Sequence, residues 1–349
     1  MNAVPVERTV LVTGGAGFIG SAVCRLLIGD GRTRVINLDK LTYAASPTAL
    51  ASVAAAPRYR FVHGDIGDRG LVAKLLAEER VDAVMHLAAE SHVDRSLADA
   101  EQFIATNITG TYHLLEAALD HWRSLGGEGQ ARFRFLHVST DEVFGDLPYE
   151  SGVFDEESRY RPSSPYAASK AAADHLVRAW GHSYGLPVLL TNCSNNYGPY
   201  QHAEKLIPLT ITRALRGETL PVYGEGENVR DWLHVEDHAR ALERVLRRGI
   251  PGRSYAIGGR EERRNIAVVT MICDLLDSRA PITGLKRRDL VRFVTDRSGH
   301  DRRYAIDPSR IEGELGWRAT WSFAAGLEST VEWYLAQDDR TGLAISTAL

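Results

Sequence analysis

Val10-Leu11-Val12-Thr13-Gly14-Gly15-Ala16-Gly17-Phe18-Ile19-Gly20 reads as a strand, a tight glycine turn and the start of a helix. Glycines at 14, 17 and 20 leave room for a pyrophosphate to lie against backbone N–H groups at a helix N-terminus. Such spacing alone is weak and also suits a plain strand–helix turn. Context strengthens it here. The turn follows the first strand of the chain. Asp39 follows the second strand, about 20 residues on, where an acid takes the ribose hydroxyls of a dinucleotide. An acid at that place favours NAD over NADP because it repels a 2′-phosphate; Lys40 beside it blunts the preference.

Outward from the turn, β-rich runs alternate with amphipathic ones. Thr9 to Val12, Arg34 to Leu38, Tyr59 to Val62, Ala83 to Leu87, Phe133 to Val138 and Pro187 to Thr191 read as strands. Ala22 to Ile28, Arg69 to Glu79, Asn107 to Arg123 and Ala167 to Tyr184 read as helices. This alternation predicts an α/β fold, a Rossmann-type doubly wound parallel sheet. His63-Gly64-Asp65-Ile66, after the third strand, suits the adenine. Leu87-Ala88-Ala89-Glu90-Ser91, after the fourth, has small residues that let the cofactor approach. After Asn192 Pro, Gly and Tyr become frequent, and the pattern predicts a smaller C-terminal substrate-binding domain. A helix from Val235 to Arg248 and a strand near Ser254 to Ile257 return to the sheet. The expected division gives 1–191 plus about 232–257 to NAD, about 192–231 plus 258–330 to a nucleotide sugar, and 331–349 to a C-terminal helix and tail.

The bulk properties are those of a globular protein of 349 residues with a formal net charge of -4. No basic field argues for nucleic acid, and no apolar run approaches the roughly 18 residues of a membrane span. The N-terminal residues lack a signal-like apolar stretch. Cys24, Cys193 and Cys273 form no C-x-x-C pair, so neither a disulfide framework nor a zinc site is favoured. His86, His92 and His300 have no metal-ligand spacing, and no metal is expected. A cytoplasmic protein is the expectation.

The chemistry is carried by Val138-Ser139-Thr140-Asp141-Glu142-Val143 and Tyr166-Ala167-Ala168-Ser169-Lys170. Tyr and Lys four residues apart share one helix face. A phenol beside an ammonium loses its proton more readily, and can take a proton from an alcohol while a nicotinamide takes the hydride. Adjacent acids after a strand are most often a cap or solvated loop. The preceding hydroxyls and the Tyr/Lys pair argue instead for a second set of proton transfers, which a simple alcohol dehydrogenase does not need. Neighbouring positions on a strand point apart, so the acid pair requires a turn.

These residues resemble the extended short-chain dehydrogenase/reductase family and, within it, the dTDP-glucose 4,6-dehydratase branch. The resemblance rests on His86-Leu87-Ala88-Ala89-Glu90-Ser91-His92-Val93-Asp94-Arg95-Ser96, Ser139 to Val143, Asn192 to Tyr200, Glu204 to Pro208, Arg230-Asp231-Trp232 and Gly299 to Tyr304. Phe144 and Ser298 stand where that family often has Tyr and Pro. The implied reaction is an internal redox elimination. Tyr166 and Lys170, with Thr140, oxidise C4 of the sugar through NAD. Glu142 takes the C5 proton, Asp141 gives a proton to the leaving C6 hydroxyl, and hydride returns to C6. The resemblance gives NAD to Gly14, Gly17, Phe18, Ile19, Gly20, Asp39, Lys40, Leu41, Thr42, Asp65 and Ile66. It adds Leu87, Ala88, Ala89, Ser91, Thr106, Ser139, Tyr166, Lys170 and Asn196. It gives dTDP-glucose to Ser91, Thr140, Glu142, Asn195, Lys205, Leu206, Pro221, Tyr223, Arg230, Asn265, Arg297 and His300. It also implies a homodimer built on two long helices, and a place in deoxysugar biosynthesis such as that of rhamnose. An epimerase or dehydratase acting on a UDP-sugar is the alternative, and a non-catalytic NAD-binding scaffold the reading from another class.

Overall fold

The protein is described by a computed structural model covering residues 7–297 and 299–341. Six strands fall where the β-rich runs predict them: Arg8–Thr13 (β1), Thr33–Asp39 (β2), Tyr59–His63 (β3), Ala83–His86 (β4), Arg134–Thr140 (β5) and Val188–Cys193 (β6). Six more follow: Asn195–Tyr197 (β7), Leu220–Tyr223 (β8), Val229–His234 (β9), Ser254–Ile257 (β10), Glu262–Arg264 (β11) and Val291–Val294 (β12). The main sheet runs in the order β10-β6-β5-β4-β1-β2-β3. Every pairing in it is parallel. The chain winds from β1 outward to β3, then crosses back to start β4 on the other side of β1. That reversal opens a crevice beyond the carboxyl ends of β1 and β4, where ligands of doubly wound sheets sit.

Strands such as β4 and β6 are buried along their whole length, because helices cover both faces. On one face Val23, Cys24 and Leu27 of the helix Phe18–Gly29 meet Ala239, Leu242 and Val245 of Val235–Arg248. On the other, Val72 and Leu75 of Arg69–Glu78 meet Leu114, Leu115 and Ala118 of Thr111–Ser124. Burial of each large apolar side chain stabilises by about 1.5–3 kcal/mol. The small sheets β11-β9-β7 and β12-β8 pack with the helices Leu206–Leu215, Asn265–Arg279 and Phe323–Thr341 around a separate core that includes Ile211, Val268 and Leu327.

Two local features set up the site. The helix Pro165–Tyr184 begins sharply because the Ser164 side chain accepts from the Ala167 amide and Pro165 occupies the first turn. It ends on Gly185 at φ 75°. Tyr166 is thereby held in its first turn. The second feature departs from expectation. The helix predicted over Asn107 to Arg123 is regular only over Thr111–Ser124, and Ile104–Gly110 is wound as a wider π-helix. There the Asn107 side chain bonds both backbone groups of Glu90 (2.9 and 3.0 Å) and also Ser169 Oγ (2.8 Å). A widened turn of this kind favours such non-local ties over the regular ladder. Among the described residues, no helix is long and apolar enough to cross a membrane. Ser298 and the tail from residue 342 lie outside the described residues.

Candidate active site

The glycine turn is built for close approach. Gly14 sits at φ 71°, and a Cβ there would come within 2.7 Å of the Ala88 backbone. At Gly20 a Cβ would meet Gly14 O at 2.1 Å. Gly17 caps the helix Phe18–Gly29 with no side-chain cap bond, so amides at that helix start are left for an anion. Asp39 closes the turn from below: its carboxylate accepts from the Ala16 amide and the Leu41 amide, both at 2.8 Å. A carboxylate has lone pairs to spare for a ribose hydroxyl. Lys40 Nζ reaches Thr106 Oγ1 (3.1 Å) and Asp65 (3.4 Å).

One cavity connects this turn to the acid pair. Gly14, Gly17, Phe18, Ile19 and Gly20 line it together with Asp39, Lys40, Thr42, Asp65, Ile66 and Thr106. Leu87, Ala88, Ala89 and Ser91 line it from the loop after β4, and Ser139, Thr140, Asp141 and Glu142 from the end of β5 and the turn that follows. Tyr166, Lys170, Asn195, Asn196 and Lys205 complete the predicted set within it. The cradle, the helix start and the ribose acid fit a dinucleotide. Leu41 does not line the cavity; its side chain is exposed and its φ is 54°.

Thr140 ends β5, and Asp141–Phe144 then forms one 3-10 turn, supplying the bend that the acid pair requires. Thr140 Oγ1 accepts from the Glu142 amide (3.3 Å), lies 3.3 Å from Asp141 Oδ1 and bonds the Tyr166 phenol. The two carboxyls sit in different fields. Burial, then Glu142 and Asp231, push Asp141 well above the usual carboxylate range. Burial also raises Glu142, but Lys205, Arg230 and Arg297 pull it back. Both acids therefore sit above the usual carboxylate range, Asp141 the further, with the three cations opposing the shift at Glu142 only in part.

Tyr166 corrects the expectation that Lys170 lowers the phenol. Burial, then the charge on Glu142, raise Tyr166 well above the ordinary tyrosine value. Lys170 instead donates from Nζ to Val138 O at 2.9 Å. Burial lowers Lys170, and Asp174 opposes that shift.

The predicted substrate residues fall into two sets. Lys205, Arg230 and Arg297 converge on Glu142 by their charge. Arg230 is buried, donates to Asp301 O (3.0 Å) and Val229 O (2.8 Å), and stacks over the Tyr304 ring. Arg297 reaches Asp94 at 3.4 Å with its Nε unpartnered. Arg230 and Arg297, together with Leu206, Pro221, Tyr223, Asn265 and His300, lie outside the cavity lining. Leu206 and Asn265 start their helices, and Pro221 and Tyr223 belong to β8. Tyr223 and His300 face each other edge to face at 6.1 Å, with His300 bonded to Asp296 (2.7 Å). The buried amide oxygens of Asn195 and Asn265 have no hydrogen-bond partner among the described residues. His86 bridges Thr13 (2.8 Å) and Thr111 (2.9 Å) in the core.

Residues that the sequence reading gave no role also line the cavity, Glu90, Cys193 and Gln201 among them. Cys193 had a usable signal: it ends β6 directly opposite Thr140. Asp174 had another, standing four residues beyond Lys170 on one helix face.

Comparison with known proteins agrees with this geometry. The family profile described as GDP-mannose 4,6 dehydratase matches residues 11–330. The chain is 55% identical to dTDP-glucose 4,6-dehydratase 1 of Escherichia coli (strain K12), over 94% of this chain and 92% of that one. It is 56% identical to the dTDP-glucose 4,6-dehydratase of Neisseria meningitidis serogroup B, over 96% of this chain and 94% of that one. Among solved structures, DesIV, a dTDP-glucose 4,6-dehydratase from Streptomyces venezuelae with NAD bound, superposes with a TM-score of 0.86 at 49% identity, covering 95% of this chain and 98% of that one. A Thermus thermophilus UDP-glucose 4-epimerase with NAD superposes at 0.81 but with 28% identity, over 94% of this chain and 99% of that one. With a parallel sheet, a dinucleotide turn and an acid pair opposite a Tyr/Lys helix, the chain belongs to the GDP-mannose 4,6 dehydratase family, among its dTDP-glucose 4,6-dehydratases.

Proposed function

We propose that this chain is a hydro-lyase that converts dTDP-glucose into dTDP-4-keto-6-deoxyglucose with NAD as resident cofactor. The observation that carries the reading is the pair Asp141 and Glu142, two buried carboxyls in one cavity with Tyr166, Asp141 raised the further and Glu142 facing Lys205, Arg230 and Arg297. A 4-epimerase needs no such pair.

NAD, when bound, supplies the hydride acceptor for C4 and the donor for C6. Everything else falls to the chain. Gly14 to Gly20 would take the pyrophosphate, Asp39 a ribose, and Asp65 with Ile66 the adenine. Tyr166 takes the proton from the C4 hydroxyl, with Thr140 bonded to the phenol. Lys170, as an ammonium, offsets the phenolate. The new 4-keto group acidifies C5–H, and Glu142 removes that proton. Asp141 protonates the C6 hydroxyl, which departs as water; C5 is then reprotonated. The net change is loss of one water with no net oxidation. Lys205, Arg230 and Arg297 suit the diphosphate, and Tyr223 with His300 the base.

The division into 1–191 plus about 232–257 for NAD and about 192–231 plus 258–330 for the sugar nucleotide belongs to the same reading. So does a homodimer through the helices that carry Ile104, Tyr112 and Tyr184, all exposed. A cytoplasmic location suits three buried free cysteines. The experiment is incubation with dTDP-glucose carrying deuterium at C4. A product lighter by one water, with the label at C6 of the same molecule and no added reductant, is expected. Epimerised sugar of unchanged mass, or label lost to solvent, would sink the reading.

A further inference from the structure

Asp174 is fully buried one turn beyond Lys170 and takes no part in the reaction above. Three donors converge on its Oδ2: Ser139 Oγ (2.8 Å), the Tyr160 hydroxyl (2.8 Å) and Asn192 Nδ2 (3.3 Å). Its Oδ1 faces His137 Nε2 at 3.1 Å, and that same nitrogen lies 3.5 Å from Lys170 Nζ. A buried carboxylate is costly unless donors and a cation compensate it. Here burial raises Asp174, yet the His137 contact, Lys170 and Ser139 outweigh it and hold the group below the usual range. Asn192 also donates to Thr140 O (3.1 Å). One carboxylate therefore ties together the helix bearing Lys170, the end of β5 that carries Ser139 and Thr140, and the end of β6 that carries Asn192.

We propose that Asp174 is a positioning residue of this site: it is the buried counter-ion that keeps Lys170 an ammonium, and it fastens the strand ends beneath the acid pair. The titratable groups around Lys170 and Asp174 are His86 from β4, His137 from β5, Cys193 from β6, Tyr160 from the preceding loop, which bonds Asp174, and Tyr166 and Asp174 on the helix of Lys170. Burial keeps the first five neutral: His137 is brought down to about 4 and His86 well below its usual value, while Cys193, Tyr160 and Tyr166 are pushed up. Asp174 is the one that carries charge. Lys170 needs such a partner because its chemistry requires the protonated form, which burial disfavours.

The assignment rests on Tyr166 and Lys170 being the redox pair, so its test reads Lys170 directly as well as through turnover. The chain has five lysines, few enough for carbon-13 labelling at Cε to resolve Lys170. In the wild type Lys170 should be an ammonium at about pH 7.5, although burial draws its titration below that of a free lysine. In Asp174→Asn and Asp174→Ser, which share only the loss of charge, its titration should fall by about one pH unit or more. The alkaline decline of C4 oxidation should move with it, while the rate at about pH 6.5 recovers to within about tenfold of wild type. An unmoved Lys170 titration, or a rate lost by one factor at every pH, overturns the proposal. If neither variant folds, the wild-type spectrum decides: Lys170 neutral at about pH 7.5 overturns it, and an ammonium at that pH supports it. The spectrum needs no turnover, so an enzyme that fails to dehydrate dTDP-glucose still answers the question about Asp174.

Discussion

The Glu142 amide donates to Thr140 Oγ1 across 3.3 Å, so the hydroxyl that bonds the Tyr166 phenol is also the group that starts the turn carrying both acids. Redox and elimination chemistry therefore share one hinge at Thr140, and separating them by mutation calls for changes beyond it.

Asp141→Asn is one such change. It removes the proton donor and leaves Tyr166, Lys170 and the glycine turn in place. Dehydration should fall on the order of 100-fold or more, while C4 oxidation persists and reduced-nicotinamide absorbance builds up on mixing with substrate. Undiminished dehydration would show that Asp141 is not the acid.

The same variant should be more stable than the wild type at neutral pH. The folded Asp141 sits well above its ordinary value of 3.8, so the unfolded chain releases the proton first as pH rises. Stability present below pH 3.8 is then lost as pH climbs towards the folded value. Asp231 acts with the same sign over the window from 3.8 to about 7. Calorimetry should find Asp141→Asn melting higher than wild type at about pH 7.5, with the gap closing below about pH 4. A gap that does not change with pH would mean the effect is packing.

Gly20→Ala tests the cradle. The added Cβ has Gly14 O at 2.1 Å and the Gly15 Cα at 2.8 Å, both backbone atoms that cannot swing aside. Overpacking of this kind costs about 1–3 kcal/mol and displaces the amides at the helix start. Purified variant protein should carry at least about tenfold less NAD than wild type, a 1.4 kcal/mol effect, as measured by release on denaturation.

Ile104 is 52% exposed and Tyr184 46%, and Trp180 bridges Tyr184 to Tyr112 through ring contacts at 5.4 and 5.8 Å. An apolar strip along two long helices suits a second copy of the chain. Light scattering at micromolar concentration should give a dimer, and Ile104→Asp should shift it to monomer. A monomeric wild type would refute the pairing.

Much of this was legible in the chain because local chemistry and global position agree. The glycine turn, Asp39 and the helix Val235–Arg248 follow from spacing and periodicity alone. The acid pair's need for a turn also follows, since a strand would splay Asp141 from Glu142. The failures have a common cause. Ile104–Gly110 is widened where Asn107 bonds Glu90 and Ser169, partners remote in sequence. Tyr166 and Lys170 titrate according to burial, which a helix-face argument does not contain. Arg230's guanidinium also holds carbonyls of a segment some seventy residues on, contacts that no local reading of the sequence contains.

The position of Ser254–Ile257 at the end of the main sheet bears on how the chain is made. Val188–Cys193 is buried along its whole length, and its outer edge finds a partner only when β10 arrives. On a ribosome that edge waits, unpaired, until the chain beyond Arg253 has emerged. An unprotected edge is a template for foreign strands. A nascent chain stalled before Ser254 is therefore the form of this protein most exposed to aggregation, and the natural client for a chaperone.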